Sequence, residues 1–285
     1  MQQIESLSKA IQFAEKLIVD YCKEKQVHTE ETVILSLFRK IVELSDGVFV
    51  NADHELEGPA TLCFRGVIEA YLSFEYILLE PESIKQRALA YYVSYQYQHI
   101  DVGKQIIRGK EKRQNPDGKD KEYYYRIITE YEKILQNDEL SETVNEWKRV
   151  KKVINQKRRG RPINPKWHSL YNGPKTINRL AIIVQEQKYR DNDRDLVADL
   201  YSMISASAHN YLALNAFYTK DGEKILQPIR FSGVDNKRDF NITTTRAILT
   251  SAAFTFVKIK FPEYESYFEK FFTSIESALI TNEQV

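Results

Sequence analysis

Apolar side chains recur every three or four positions along most of the chain, which is the period of an α-helix with one buried face. In the first stretch, Ile4, Leu7 and Ile11 repeat at this spacing. Proline and glycine mark the boundaries, and Pro59, after Gly58, suits the first turn of a helix. The predicted helices cover about residues 3–25, 29–47, 59–79, 81–107, 119–136, 139–156, 174–188, 194–219, 243–260 and 262–282.

The helical period is lost between residues 222 and 241. Short apolar runs at 225–226 and 229–231 lie there near Gly233 and Asn236, which favour turns. We therefore expect an all-α, multi-helix bundle with a small irregular or β-hairpin insertion near 222–241. We expect a single helical domain over residues 1–285, with its core in 30–219.

The C-terminal helices, 243–282, are expected to dock on this core or to form a dimer interface. One side of the last helix is apolar and carries Phe261, Tyr264, Phe268, Phe271, Ile275 and Leu279. Such a stripe packs against its own core or against a second copy. A homodimer through the C-terminal helix is therefore one expected partner arrangement.

Composition narrows the class of protein. The net charge is +1, so binding to nucleic acid would need a local basic patch. The two cysteines, Cys22 and Cys63, form no C-x-x-C pair, and the first residues lack the apolar core of a signal peptide. No uncharged apolar run is long enough to span a bilayer. These features predict a cytoplasmic protein without membrane association.

Two apolar predicted helices each carry a polar stripe. Arg65 and Glu69 are four residues apart on one helix, and Ser202, Ser205 and His209 share a face of the other. An arginine and a glutamate at this spacing can pair. We expect the two stripes to meet, so that Glu69 orients the imidazole of His209 beside the charge of Arg65.

Such a polar centre has two interpretations. An imidazole can act as a general base, while a guanidinium stabilises a pentacovalent phosphate. The candidate catalytic residues are then Arg65, Glu69, Ser205 and His209. Alternatively, the same side chains form a buried, satisfied network that only fixes helix packing.

At these residues the chain resembles a bacterial helical family of unknown function. The resemblance begins in GPATLCFRGVIEAY, residues 58–71, with its R-x-x-x-E pattern. It extends over roughly residues 30–219. Its later positions are Trp167, Ile177, Leu180, Ala181, Tyr201, Ser202, Ser205 and His209.

By family analogy, this resemblance implies a distant similarity to HEPN domains (higher eukaryote and prokaryote nucleotide-binding). Many of these are ribonucleases of toxin or phage-defence systems. They carry an arginine and a histidine a few residues apart on one helix. Here Arg194 lies far before His209, and Arg65 is followed by Glu69 where a histidine would be needed. A site of this kind would have to assemble between helices.

A basic segment offers a different candidate. Its eight cations are Lys148, Arg149, Lys151, Lys152, Lys157, Arg158, Arg159 and Arg161. The sequence Arg159-Gly160-Arg161-Pro162 resembles the core of an AT-hook, which lies extended in a narrow minor groove. The segment is either a phosphate-binding surface for RNA or DNA or a solvated loop.

Tyrosines and histidines complete the candidate chemistry. Tyr91, Tyr92, Tyr95 and Tyr97 can stack on bases or line helix interfaces. The five histidines form no H-x-x-x-H or H-E-x-x-H pair, and no phosphate-binding glycine loop occurs. We therefore expect no metal site and no cofactor.

Three functions remain open. The first is an RNA-directed effector of the HEPN type, a toxin or phage-defence enzyme that would be a metal-independent ribonuclease. The second is a non-catalytic nucleic-acid-binding or regulatory module. The third is a structural or interaction protein.

Overall fold

The computed structural model describes residues 2–110, 121–156, 158–188, 200–201, 217–226, 228, 230 and 237–280. It confirms the all-α class. The α-helices are α1 (Gln2–Glu24), α2 (Thr29–Asp53), α3 (Glu57–Leu78), α4 (Ile84–Lys110), α5 (Lys121–Ile134), α6 (Ser141–Asn155), α7 (Ile177–Lys188), α8 (Lys237–Lys260) and α9 (Glu265–Ile280). Short 3₁₀ segments lie at Pro81–Ser83, Asp138–Leu140, Trp167–Asn172 and Pro262–Tyr264.

A β-hairpin is present, but it begins before the predicted position. Strands β1 (Phe217–Lys220) and β2 (Glu223–Leu226) pair antiparallel around Asp221 and Gly222. Both turn residues have positive φ, 52° and 86°, as a two-residue hairpin turn requires. The prediction that the helix from 194 continues to 219 is therefore wrong at residues 217–219. The turn at Asp221 and Gly222 pairs residues 217–220 with 223–226 as strands, which apolar periodicity alone does not predict.

The chain clusters into two compact units. The first unit holds Met1–His28, Ile34–Leu79 and Ile177–Val285, and the second holds Thr29–Val33 and Glu80–Thr176. A single domain over 1–285 stays a prediction.

The core of the first unit is built on aromatic side chains from four helices. Phe38 of α2 is fully buried and stacks on Phe74 of α3 and Phe256 of α8, with ring centroids 5.6 and 5.0 Å apart. Tyr21 of α1 packs edge-on against Phe256 at 5.2 Å. Helix α8 therefore contacts α1, α2 and α3 and is a central element of this unit.

The C-terminal helix packs against α1 within the first unit. Phe271 of α9 stacks on Phe13 of α1 with ring centroids 3.9 Å apart, and Phe268 and Ile275 are buried. The buried part of the apolar stripe is therefore used by intramolecular packing. A homodimer through this helix stays a prediction, and Leu279 lies outside the described side chains.

The second unit is organised around α4. Its buried side chains include Leu89 and Val93 of α4 with Val144 and Trp147 of α6. Further along, Gly103 allows α5 to approach closely, because a Cβ at this position would lie 2.9 Å from Ile128. The face of α4 that carries Leu89, Val93 and the buried Ile100 and Ile107 is therefore the packing face.

Among the described helices, none combines the length and the apolar character needed to cross a membrane.

Candidate functional site

Helix α3 positions the first predicted stripe. The Nε of Arg65 donates to a carboxylate oxygen of Glu69 at 3.0 Å, which is the i, i+4 pair that the sequence predicts. The side chain of Arg65 is 19% exposed and that of Glu69 is 42% exposed. Ser73 does not extend the ion pair but donates to the carbonyl of Glu69 at 2.9 Å. The pair is thus held on one helix and accessible to water.

Tyr201, which lies far from α3 in the sequence, stabilises the charged form of Arg65. Its guanidinium carbon lies 5.7 Å from the ring centroid of Tyr201, within the range of a cation–π contact. Burial opposes the charged form, but hydrogen bonds from the guanidinium to Glu69 and Tyr201 outweigh it and raise the pKa of Arg65. Arg65 is therefore a permanent, oriented cation.

The second predicted stripe begins immediately after this contact. Ser202, Ser205 and His209 lie outside the described residues. Tyr201, which precedes them, is described and contacts Arg65. That Glu69 orients His209 stays a prediction, and the described partner of Glu69 is Arg65.

Arg65 and Glu69 are partly exposed rather than buried. The buried carboxyl group of α3 belongs to Glu75, whose residue is 3% exposed. The hydroxyl of Thr255 on α8 donates to it at 3.0 Å. One turn earlier, the hydroxyls of Tyr71 and Ser251 lie 3.0 Å apart. The buried network is therefore a two-rung ladder between α3 and α8.

The sequence contains a signal for this ladder. Tyr71 and Glu75 are four residues apart, as are Ser251 and Thr255, so each pair occupies one helical face. What the spacing cannot show is that the two faces meet. Arg65 and Glu69 form the stripe with more charged residues, and the sequence therefore favours them as the polar centre.

The helical part of the basic segment is partly engaged in local contacts. Arg149 forms two hydrogen bonds with Glu146, at 2.6 and 2.8 Å. Lys151 lies over the ring of Trp147, 4.6 Å from its centroid. Lys148 and Lys152 are exposed, and Lys157 lies outside the described residues.

The arginine loop, residues 158–161, follows α6 and is held at its base. The side chain of Asn155 donates to the carbonyl of Ile163 and accepts from its N–H, both at 2.9 Å. Within the loop, Nε of Arg158 donates to the carbonyl of Arg161 at 3.2 Å, and Gly160 has φ +124°. This conformation differs from the extended backbone of an AT-hook.

The loop nevertheless presents its cations to solvent. Arg158, Arg159 and Arg161 are all exposed. A closed loop with three exposed guanidinium groups is suited to phosphate oxygens, which arginine binds through charge-assisted hydrogen bonds.

Within the residues that the structure describes, no three His, Cys, Asp or Glu side chains are grouped as metal ligands would be. Cys22 and Cys63 are free thiols. His168 is buried, and its Nδ1 lies 2.5 Å from the carbonyl of Pro174. Desolvation lowers the pKa of His168. His168 therefore contributes to packing and to a hydrogen bond within the fold.

The sequence matches the model of a known protein family. A family model described as a family of unknown function, DUF5677, matches residues 31–225, which is more than half of the chain. The match includes Arg65, Glu69, Tyr201 and the arginine loop, and it confirms the resemblance to an uncharacterised family. No curated protein and no solved structure matches the chain.

Proposed function

We propose that this chain, which belongs to the DUF5677 family, is an RNA-directed effector distantly similar to HEPN proteins. In this proposal it is a toxin or phage-defence ribonuclease that needs no metal, and its site contains Arg65, Glu69, Ser205 and His209. The observation that supports it most directly is the contact of Tyr201 with Arg65. In the predicted helix, Ser205 and His209 follow Tyr201 at four-residue steps and share its face.

The chemistry of the proposed site is a phosphoryl transfer within the RNA strand. The 2′-oxygen forms a bond to the adjacent phosphorus while the bond from phosphorus to the 5′-oxygen breaks. His209 takes the proton of the 2′-hydroxyl, and solvent protonates the leaving 5′-oxygen. Arg65 donates to the non-bridging oxygens, where negative charge accumulates, and Ser205 adds a hydroxyl donor. The products are a 2′,3′-cyclic phosphate and a 5′-hydroxyl.

The accessibility of Arg65 and Glu69 favours this role over a packing role. A partly exposed ion pair contributes only about 0–1 kcal/mol to stability. The ion pair therefore adds little to the free energy of unfolding. Even so, contacts with Glu69 and Tyr201 fix the orientation of the guanidinium group. An oriented cation that water and ligand can reach is suited to binding a phosphate.

The test uses purified full-length protein and a labelled RNA in the presence of EDTA. We expect cleavage to continue without divalent metal and to leave cyclic phosphate ends. Arg65→Ala should lower the rate by about 100-fold or more, as the loss of one charge-stabilising donor does. His209→Ala should abolish cleavage, with an unchanged circular dichroism spectrum.

Arg87 provides a matched control, because its side chain is 15% exposed and is paired with Glu80 in a similar manner. Arg87→Ala should retain the wild-type rate. The proposal is lost if the wild type leaves RNA intact, or if Arg65→Ala and Arg87→Ala cleave equally well.

A second candidate function is non-catalytic nucleic-acid binding, which the three exposed guanidinium groups of the arginine loop favour. Replacing Arg158, Arg159 and Arg161 by Gln should abolish binding to labelled RNA or DNA, and wild-type binding should weaken steeply with salt. Replacing Lys9, Lys23 and Lys40 by Gln makes the same change in net charge elsewhere and should leave binding intact. Equal effects of the two triple variants would contradict this function.

A further inference from the structure

A row of aromatic side chains covers one face of the second unit. Tyr91, Tyr95 and His99 of α4 are four residues apart. Trp167 packs on Tyr91 with centroids 5.3 Å apart, and Tyr131 of α5 stacks on His99 at 5.0 Å. We call these five residues the aromatic row. Four residues per step keep the row along one side of α4.

The aromatic row is not part of the packing face of α4. That face carries Leu89, Val93, Ile100 and Ile107, which are 0–6% exposed. Tyr95, in contrast, is 45% exposed, although it lies in the middle of a helix with a core on its other side. The other four rings of the row are partly exposed, although Tyr131 also packs against the cluster of Ile100 and Ile107. A contiguous group of accessible aromatic side chains is typical of an interaction site.

Contacts within the row orient its rings. The rings of Tyr95 and His99 have centroids 4.2 Å apart, and Tyr95 also contacts Tyr131 edge-on at 6.4 Å. The surface is therefore preorganised: a ligand that stacks on Tyr95 meets a ring that its neighbours already hold.

The segment that follows the arginine loop is anchored on α4, the helix that carries Tyr91, Tyr95 and His99. Asn164, three residues after Arg161, donates to Asp101 of α4 at 2.8 Å. Three residues further on, Trp167 reaches Tyr91. The segment after the arginine loop thus runs along α4 beside the row. Aromatic rings and exposed guanidinium groups lie on neighbouring parts of one unit.

We infer that the aromatic row and the arginine loop form a binding surface for single-stranded nucleic acid. Unpaired bases stack on the row, and the loop binds the phosphates of the same strand. Stacking on aromatic side chains tolerates any base, whereas a duplex keeps its base faces covered. The inference deepens the proposed function and rests on it for the choice of RNA. It names single-stranded RNA as the substrate class.

The experiment measures binding of full-length protein to a fluorescent oligouridine with 2′-O-methyl groups. This probe has no free 2′-hydroxyl and stays intact even if the protein cleaves RNA. Tyr95→Ala should weaken binding by roughly 5-fold to 150-fold, the range for the loss of one stacked base. Tyr95→Phe, which keeps the ring, should bind nearly as the wild type does.

Tyr125 provides the matched control, since it is a 55% exposed tyrosine on α5 outside the row. Tyr125→Ala should leave affinity unchanged. Arg159→Ala should reduce the slope of log affinity against log salt by about 0.7, as one lost phosphate contact does for single strands. A duplex of the same length should bind less tightly, and an oligothymidine arm shows whether the surface accepts DNA as well.

The outcomes separate this inference from the proposed function. Equal binding by the wild type and Tyr95→Ala, or equal binding of duplex and single strand, overturns the stacking surface even if RNA is cleaved. Binding that depends on Tyr95 without any cleavage of unmodified RNA supports the surface and removes the ribonuclease. Absence of both binding and cleavage removes both.

Discussion

The ring of Tyr201 lies over the guanidinium of Arg65, 5.7 Å from ring centroid to guanidinium carbon. Glu69 holds the same guanidinium from its own helix. Two independent contacts, one aromatic and one ionic, therefore fix the direction of a cation that remains accessible. This arrangement leads to the first prediction.

Tyr201→Leu should impair RNA cleavage more than Tyr201→Phe. Phenylalanine keeps the cation–π contact and loses only the hydroxyl, whereas leucine loses both. The contact is worth about 0.5–1 kcal/mol at an accessible site, so Tyr201→Leu should lower the cleavage rate by a few fold. Rates at saturating RNA check this. If Tyr201→Phe is as slow as Tyr201→Leu, the hydroxyl and not the ring carries the effect.

Stability should depend on Thr255 far more than on Arg65. Thr255→Val removes a donor to the buried Glu75 without changing side-chain shape. Removing a donor from a buried acceptor costs about 1–3 kcal/mol. Urea unfolding should show this loss for Thr255→Val, whereas Thr255→Ser retains the hydroxyl and most of the stability.

Two variants serve as references for Thr255→Val. Thr129→Val changes an exposed threonine that donates to the carbonyl of Tyr125, and it should stay within about 0.5 kcal/mol of the wild type. Arg65→Ala should cost at most about 1 kcal/mol. If Arg65→Ala lowers the free energy of unfolding more than Thr255→Val does, Arg65 and Glu69 stabilise the helix packing after all.

Helices α2 and α3 approach closely at Gly47. A Cβ there would lie 2.9 Å from Sγ of Cys63, whereas a Cβ at Gly58 meets nothing within 4 Å. Gly47→Ala should therefore destabilise the protein by about 1–3 kcal/mol, and Gly58→Ala should be neutral or slightly stabilising. In a Cys63→Ala background the cost of Gly47→Ala should largely disappear. Thermal unfolding of the four variants measures this coupling, and an unchanged cost would place the strain elsewhere.

Acidification should destabilise the protein through His168. Desolvation lowers its pKa in the folded state, so the unfolded chain binds the proton more readily. The stabilising contribution is complete above the unfolded pKa of about 6.5 and is lost as the pH falls towards the folded pKa. His168→Gln should unfold with a weaker pH dependence over this window. The two slopes can differ by at most about 1.4 kcal/mol per pH unit, and identical slopes would show that His168 does not titrate on unfolding.

Several local features could be predicted from the sequence because they depend on near neighbours along the chain. The helices follow from apolar periodicity, and the contact between Arg65 and Glu69 follows from four-residue spacing. The exposed arginines at 158–161 follow from glycine, proline and charge. Each of these depends on a few adjacent residues, whose geometry one helical turn or one loop determines.

The tertiary structure decided which polar groups are buried. Glu69 and Glu75 lie on the same apolar helix, yet Glu75 is buried against Thr255 while Glu69 remains accessible. Likewise, Tyr97 stacks on the buried Trp147, whereas Tyr95, two residues earlier, faces solvent. Sequence determines which side chains share a helical face, because that depends on backbone geometry alone. Which face is covered depends on the packing of residues as far apart as 75 and 255, and no local pattern contains that information.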